Sequence, residues 1–570
     1  MSRSQIGLCV ILLTAAVVRF AGLQAWLPHP PLDADEFLYV NSGMEALEGL
    51  PPQKMEIPGT SYTLLLEVIY FLHFCLSRVK EIFMSLAQKE ILHLVSLLDA
   101  YFIEFYRDPS VQYFLGRSAS ALFGTLSVWL TYRMGREFYG VAAGLGAASL
   151  LFLCPFYVRF SHAAVSYPMA GFLYLAALQT TVRIIKENSP QRYMWAGGWI
   201  GLCLAARINA ISLLAGLLAA HFLGRNAGSV SSKASQKNLA FSFLCAFLAF
   251  YAVCPYVVTA GFLFPKELFL RVFYPGRDIS FFTEMGSTLA VLRRELGGLL
   301  CLLGIAAAAS ASMKRDRVAI LLSCVLAAEL LLVARAGLLY ERYVFFSGLL
   351  IILLTGFFAG AFLSSPRPTL RWGSRLLLAV CVVSHLHGTA GYLMSLRKEN
   401  TRILALRWVE SNVPDKAVVF QPKDLLYLRE TREHLLKKLD LISGPFSYRE
   451  KFQVQAGQGK PLAGLFSQVG GYPFTVFSDM MLHEEKHLAR ELAFRLADPL
   501  SRSPSYEVHW VSESTLFLMD SRSEARARYR NGEGSVFIDT QLHPEFGRPK
   551  ASFMPGRSAE GPPIYIYIRE

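Results

Sequence analysis

Apolar residues in this chain come in long blocks. From Ile6 to about Leu393 they run in stretches of roughly 15–24 residues, the length an α-helix needs to cross a hydrocarbon layer of about 30 Å. Val141–Leu153 and Leu299–Ala309 contain no charged residue, whereas a core helix of a soluble protein keeps a polar outer stripe. After about Arg397 the blocks stop. Thr401–Asn412 reads as a helix that breaks at Val413-Pro414-Asp415, and Ala417–Phe420 as a short strand. Tyr506–Val511, Thr515–Leu518 and Ser535–Asp539 also read as strands, and Asp479–Leu496 as an amphipathic helix. The pattern predicts a mostly α, polytopic membrane bundle over residues 1–396 and a small soluble α/β domain over 397–570.

Charge sets the expected sidedness. Lys and Arg collect in Arg133–Arg136, Arg183–Arg192, Arg225–Lys237, Lys314–Arg317 and Arg367–Arg375. With all five loops in the cytoplasm, as positive-inside charge requires, about eleven crossings fit the chain. The N-terminus is then cytoplasmic, and residues 28–112 and the C-terminal domain lie outside, as for a bacterial-type plasma membrane. Met1–Trp26 reads as an uncleaved first helix, since Arg19 interrupts its apolar run and Ala25-Trp26-Leu27 is a poor cleavage context. Two stretches strain the scheme. Trp195–Leu223, if straight, is a helix of about 43 Å with Arg207 at mid-bilayer, a cost of roughly 3 kcal/mol; a hairpin turning at Arg207 removes it. Tyr62–Ser77 and Ile91–Tyr106 carry Glu67, Asp99 and Glu104 and read as juxtamembrane helices, with a further membrane-spanning pair as the alternative.

Composition agrees: 53% of the 570 residues are hydrophobic and 17% charged, with a mean hydropathy of +0.36. The net charge of +13 sits mainly in the short loops, without the aromatic-basic patch of a nucleic-acid site. All nine cysteines lie in apolar blocks, so neither a disulfide framework nor a zinc-finger spacing is available.

The densest acidic cluster of the membrane half is Asp33, Asp35 and Glu36, just after the first crossing. Carboxylates there can take a proton from an acceptor or bind a cation; they can also simply cap the helix that follows. Asp35-Glu36-Phe-Leu-Tyr39, then Met44-Glu45-Ala-Leu47-Glu-Gly49, resembles the first-loop signature of the protein O-mannosyltransferases and lipid A aminoarabinose transferases, enzymes of the GT-C fold. Arg117-Ser-Ala-Ser-Ala-Leu-Phe-Gly124, Tyr132-Arg-Met-Gly135-Arg136-Glu-Phe138-Tyr-Gly140, Gly201…Arg207 and Arg342-Tyr343 follow in the order and spacing of that family, over roughly residues 5–395.

The resemblance implies a membrane glycosyltransferase that takes its sugar from a polyprenyl phosphate and hands it to a protein, lipid or glycan acceptor. Asp35 would be the base, with Glu36 beside it; Arg207, Arg342 and Arg117 would hold the donor phosphate. Asp33, Tyr39, His162 and Tyr343 are further candidates. Arg207 as a snorkelling anchor and Arg342 as a helix-end residue are the plainer alternatives. No cofactor is called for, and the carboxylates leave room for a divalent cation. The chain departs from the family twice. Glu56-Ile57-Pro58 replaces a Lys-Pro pair, with only Lys54 nearby, and Ser161-His162-Ala-Ala-Val-Ser-Tyr167 replaces Ser-Arg-x-x-x-x-Asp. A transporter of lipid-linked saccharides also suits many crossings with internal Arg. His483-Glu484-Glu-Lys-His487 matches the H-E-x-x-H of zinc proteases, yet both of its middle residues are charged and no third ligand motif follows.

Overall fold

The computed structural model describes residues 3–27, 32–33, 35–47, 60–88, 91–225, 232–254, 281–336, 340–363, 365–422, 426, 428, 430–431, 506–512, 519–555, 559–560 and 562–569. The expected strand Thr515–Leu518, the helix Asp479–Leu496 and the His483–His487 motif lie outside them. In chain order the helices are α1 (Arg3–Phe20), α2 (Glu36–Leu47), α3 (Thr60–Ser77), α4 (Val79–Gln88), α5 (Ile91–Arg107), α6 (Ser110–Tyr139), α7 (Val141–Phe152), α8 (Pro155–His162), α9 (Tyr167–Lys186), α10 (Pro190–Ala206), α11 (Ser212–Arg225) and α12 (Ser232–Val253). Then come α13 (Phe281–Leu296), α14 (Gly298–Lys314), α15 (Arg317–Ala336), α16 (Phe345–Leu363), α17 (Pro368–Ser395), α18 (Thr401–Asn412) and α19 (Arg522–Asn531). Two units emerge: residues 1–23, 33–70 and 114–393, and residues 24–32, 71–113 and 394–570. Residues 71–113 group with the C-terminal segment, which begins at 394.

Among the described residues, five helices are long and apolar enough to cross a membrane: α9, α12, α15, α16 with its preceding turn, and α17. The number becomes seven if the bent pairs α3–α4 and α7–α8 each form one span, and Ser4–Phe20, Ile208–Gly224 and Gly298–Ser310 are shorter apolar helices. Pro155 opens α8 after a 60° bend from α7, so a run that reads as one span is two helices. Arg19 finishes that bend. Its guanidinium donates to the Phe152 carbonyl at 2.9 Å and the Leu151 carbonyl at 3.4 Å, capping the C-terminal end of α7 where a cation is favoured.

Trp195–Leu223 breaks where expected. α10 ends at Ala206, Arg207 is extended, and a 3₁₀ turn over Ile208–Ile211 leads into α11. The Tyr193 hydroxyl lies 2.8 Å from His221 Nδ1, so the start of α10 meets the end of α11 and the chain turns back at Arg207. At that meeting point the basic loops gather. Glu137 accepts from Arg183 and Gln179, each at 2.6 Å; Tyr139 donates to Asp316 at 2.8 Å; Asn188 donates to Ser235 at 3.1 Å. Lys314 Nζ stands 5.3 Å from the Phe362 ring, one turn from the last basic loop. Arg207 is at the opposite end of the hairpin.

Small residues set the tightest helix contact. A Cβ at Gly356 would come within 2.4 Å of Ala147 Cα, and one at Gly360 within 2.3 Å of Ala143 Cα. α16 and α7 thus meet backbone to backbone, the close approach that small residues permit between membrane helices.

In the second unit, α4 packs on α5 and Arg78 bonds Glu104. The strands are β1 (Glu399–Asn400), β2 (Val418–Pro422), β3 (Glu507–Ser512), β4 (Met519–Ser521), β5 (Val536–Asp539), β6 (Ala551–Phe553), β7 (Ala559–Glu560) and β8 (Ile564–Ile568). Six form one sheet in the order β4-β3-β2-β5-β8-β6, parallel from β4 to β5, with β8 antiparallel to both neighbours. Alternate residues point to opposite faces. Val419, Val536, Ile538 and Ile566 pack with Ala405 and Val409 of α18, while Phe420, Phe537 and Tyr567 pack with Ala525 and Tyr529 of α19. A two-sided sheet explains why the strands read as continuous apolar runs.

Candidate active site

Three separate turns deliver the charged residues. Asp33 Oδ1 accepts the Asp35 backbone N–H at 2.8 Å, and the Asp33 carbonyl accepts that of Glu36 at 3.1 Å. This local turn launches α2 and leaves Asp35 at the helix entrance. Arg207 comes from the α10–α11 turn, and Arg342 from a 3₁₀ turn, Glu341–Val344, that opens α16.

These turns meet on Asp35. Its Oδ2 accepts from Arg342 Nη1 at 2.8 Å and lies 4.0 Å from Arg207 Nη2. The Arg207 guanidinium stacks 3.7 Å above the Tyr167 ring and is 6.0 Å from that of Tyr39. Tyr39 is held by a 3.0 Å bond to Ser166 Oγ. Arg342 sits 5.1 Å from the Tyr340 ring and 5.4 Å from that of Tyr343. Aromatic faces stabilise a cation without using its N–H groups, and at Arg207 this matters. The residue is 7% exposed, and its Nε and Nη2 have no hydrogen-bond partner among the described residues. Unpaired donors on a buried cation are costly, and an anion arriving between Arg207 and Arg342 would satisfy them bidentately. Asp35 Oδ1 carries no bond among the described residues, so one oxygen of this carboxylate is anchored and the other is available.

Glu36 and Arg117 do not join this group. Arg117 Nε and Nη2 donate to the two Glu36 oxygens at 2.7 and 2.9 Å, the Ala164 N–H donates to Glu36 Oε1 at 2.8 Å, and Arg117 Nη1 bonds the Leu23 carbonyl at 2.9 Å. Both side chains are fully buried. Enclosed and mutually satisfied, Glu36 and Arg117 tie α2 to α6 and stand apart from the carboxylate and guanidinium groups gathered at Asp35. His162 is likewise buried, its ring nitrogens 2.8 and 2.9 Å from the Val158 and Ala21 carbonyls, which makes it a clamp between α8 and the end of α1.

Asp33, half-buried, faces Asp35 and Glu36. Burial first, then those negative neighbours, push its carboxyl up to about 6. The residue that sequence reasoning missed is Tyr167, the platform under Arg207. Among the described residues, no three His, Cys, Asp or Glu side chains come together to hold a metal ion.

The model of the dolichyl-phosphate-mannose-protein mannosyltransferase family matches residues 110–258. No curated protein matches the chain. Among solved structures, ArnT from Cupriavidus metallidurans in the apo state is 14% identical with a TM-score of 0.50, covering 99% of this chain and 98% of its own. The same protein bound to undecaprenyl phosphate gives 13% identity and a TM-score of 0.48, with the same coverage. The Archaeoglobus fulgidus oligosaccharyltransferase, in complex with Zn and sulfate, gives 13% and 0.47; the match covers 73% of this chain and only 60% of that longer one. The chain therefore has the GT-C fold seen in apo ArnT, and over residues 110–258 it resembles the dolichyl-phosphate-mannose-protein mannosyltransferases.

Proposed function

We propose that this chain is an integral membrane glycosyltransferase that moves a sugar from a polyprenyl-phosphate donor to a hydroxyl or amine acceptor at the extracytoplasmic face. The observation that carries the reading is Asp35 held by Arg342 and facing Arg207, whose unpaired N–H groups await an anion. The donor phosphate binds Arg207 and Arg342. Asp35 Oδ1 takes the acceptor proton as the acceptor oxygen or nitrogen bonds to the anomeric carbon. The bond from that carbon to the phosphate oxygen breaks, and the polyprenyl phosphate leaves with its new negative charge facing both arginines. The basic loops at the far end of the hairpin support an outward site, since such loops stay in the cytoplasm.

Purified protein in lipid should release polyprenyl phosphate from a labelled polyprenyl-phosphate sugar. Asp35→Asn should slow that turnover about 10²–10⁴-fold, the usual loss of a general base. Near-native turnover by Asp35→Asn would sink the assignment.

A further inference from the structure

At the end of the first unit remote from Asp35, α6, α9 and α10 enclose a half-open cavity of about 280 Å³. Its wall holds Arg133, Arg183 and Arg192 together with Trp129, Trp195 and Trp199, and it is continued by Leu130, Phe172 and Ala176. Thr180 and Gln179 of the lining are bonded elsewhere. Thr180 Oγ1 donates to the Ala176 and Ala177 carbonyls, and the Gln179 amide donates to Glu137. Glu137 and Glu187, which pair with Arg183 and Arg192, do not line the cavity. Arg133 stacks 5.5 Å from the Trp129 ring and has no carboxylate partner among the described residues.

A cavity with guanidinium groups at one end, indole rings beside them and an apolar wall beyond matches an amphiphile with an anionic head. Tryptophan favours the headgroup level of a bilayer, and basic pockets between membrane helices bind acidic headgroups. We propose that this cavity binds one anionic glycerophospholipid from the leaflet at the basic-loop end. Its phosphate would lie against Arg133 and Arg192, and an acyl chain along Phe172 and Ala176. The site is separate from the one assigned to the polyprenyl-phosphate donor, and the inference does not rest on the transferase reading.

The full chain in phosphatidylcholine nanodiscs provides the test, with a small fraction of the lipid replaced by brominated phosphatidylglycerol or, in parallel, brominated phosphatidylcholine. Tryptophan quenching by the anionic lipid should exceed that by the zwitterionic one by about five-fold at equal fraction. Arg133→Glu should abolish the excess and Arg133→Lys should keep most of it, while inorganic phosphate leaves it unchanged. Equal quenching by the two lipids, or an excess that survives Arg133→Glu, overturns the proposal. Loss of the excess on adding phosphate also overturns it, by making the cavity a site for free anions. No arm reads sugar transfer, so failure here leaves the proposed reaction untouched.

Discussion

Arg342 and Arg207 are both cations, but they face Asp35 in different ways, and the difference is testable. Arg342 makes a 2.8 Å bond to Asp35 from one guanidinium nitrogen and also bonds the Tyr343 side chain, so further N–H groups of its five-donor fork can meet a second anion. Lysine offers a point charge without the fork. Arg342→Lys should therefore weaken apparent donor affinity about ten-fold and Arg342→Ala about a hundred-fold, the range of one to two charge-assisted hydrogen bonds, with acceptor dependence little changed. A fully active Lys variant would reduce Arg342 to an anchor. Asp33 gives a pH signature. Its folded carboxyl holds a proton up to about 6, against an ordinary value of 3.8, so it contributes stability that is complete below the ordinary value and is lost as pH rises through 6. Between about pH 4 and 7 the detergent-solubilised protein should lose thermal stability, and Asp33→Asn should lose less; parallel curves for the two proteins would contradict this. Asp35, Arg207 and Arg342, which the structure brings together, were singled out through the family resemblance, since charge beside apolar blocks alone leaves a helix cap or a snorkelling anchor equally open. Glu36 and Arg117 were equally conspicuous, but sequence does not show which charges neutralise each other across 81 positions. Tyr167 had no signal, as one more aromatic at the start of an apolar helix.

At the level of elements, glycine and proline decide how the helices meet. Where α16 crosses α7, any side chain at Gly356 or Gly360 strikes the Ala147 or Ala143 backbone. Gly356→Ala should cost about 1–3 kcal/mol through overpacking, read as a lowered melting temperature in detergent. Gly391→Ala in α17, where an added Cβ meets nothing within 4 Å, should be neutral or stabilising by up to ~1 kcal/mol. Equal effects at the two sites would contradict backbone-level packing. The break at Arg207 was legible because a lone cation in a long apolar run is expensive in any other arrangement. The number of spans was not, because a bend such as Pro155 leaves hydropathy unchanged while halving a helix.

For the molecule as a whole, the loops that carry the positive charge assemble at one end of the helical unit and the proposed site at the other. In a cysteine-free background, Ser411→Cys on α18 should react with a membrane-impermeant maleimide in intact cells, and Glu187→Cys at the basic end only after permeabilisation. The reverse result would invert the orientation. That residues 71–113 group with the C-terminal domain was invisible in the sequence, because such contacts span hundreds of positions and leave no local pattern. The ion pair that joins Asp35 to Arg342 spans 307 positions, and this has a meaning for biogenesis. While the ribosome extends the chain, the carboxylate leaves it early and waits through most of synthesis before its partner is made. The proposed site is incomplete until α16 enters the membrane, so on that reading a nascent chain cannot hold the donor phosphate between both arginines before its helices are in place.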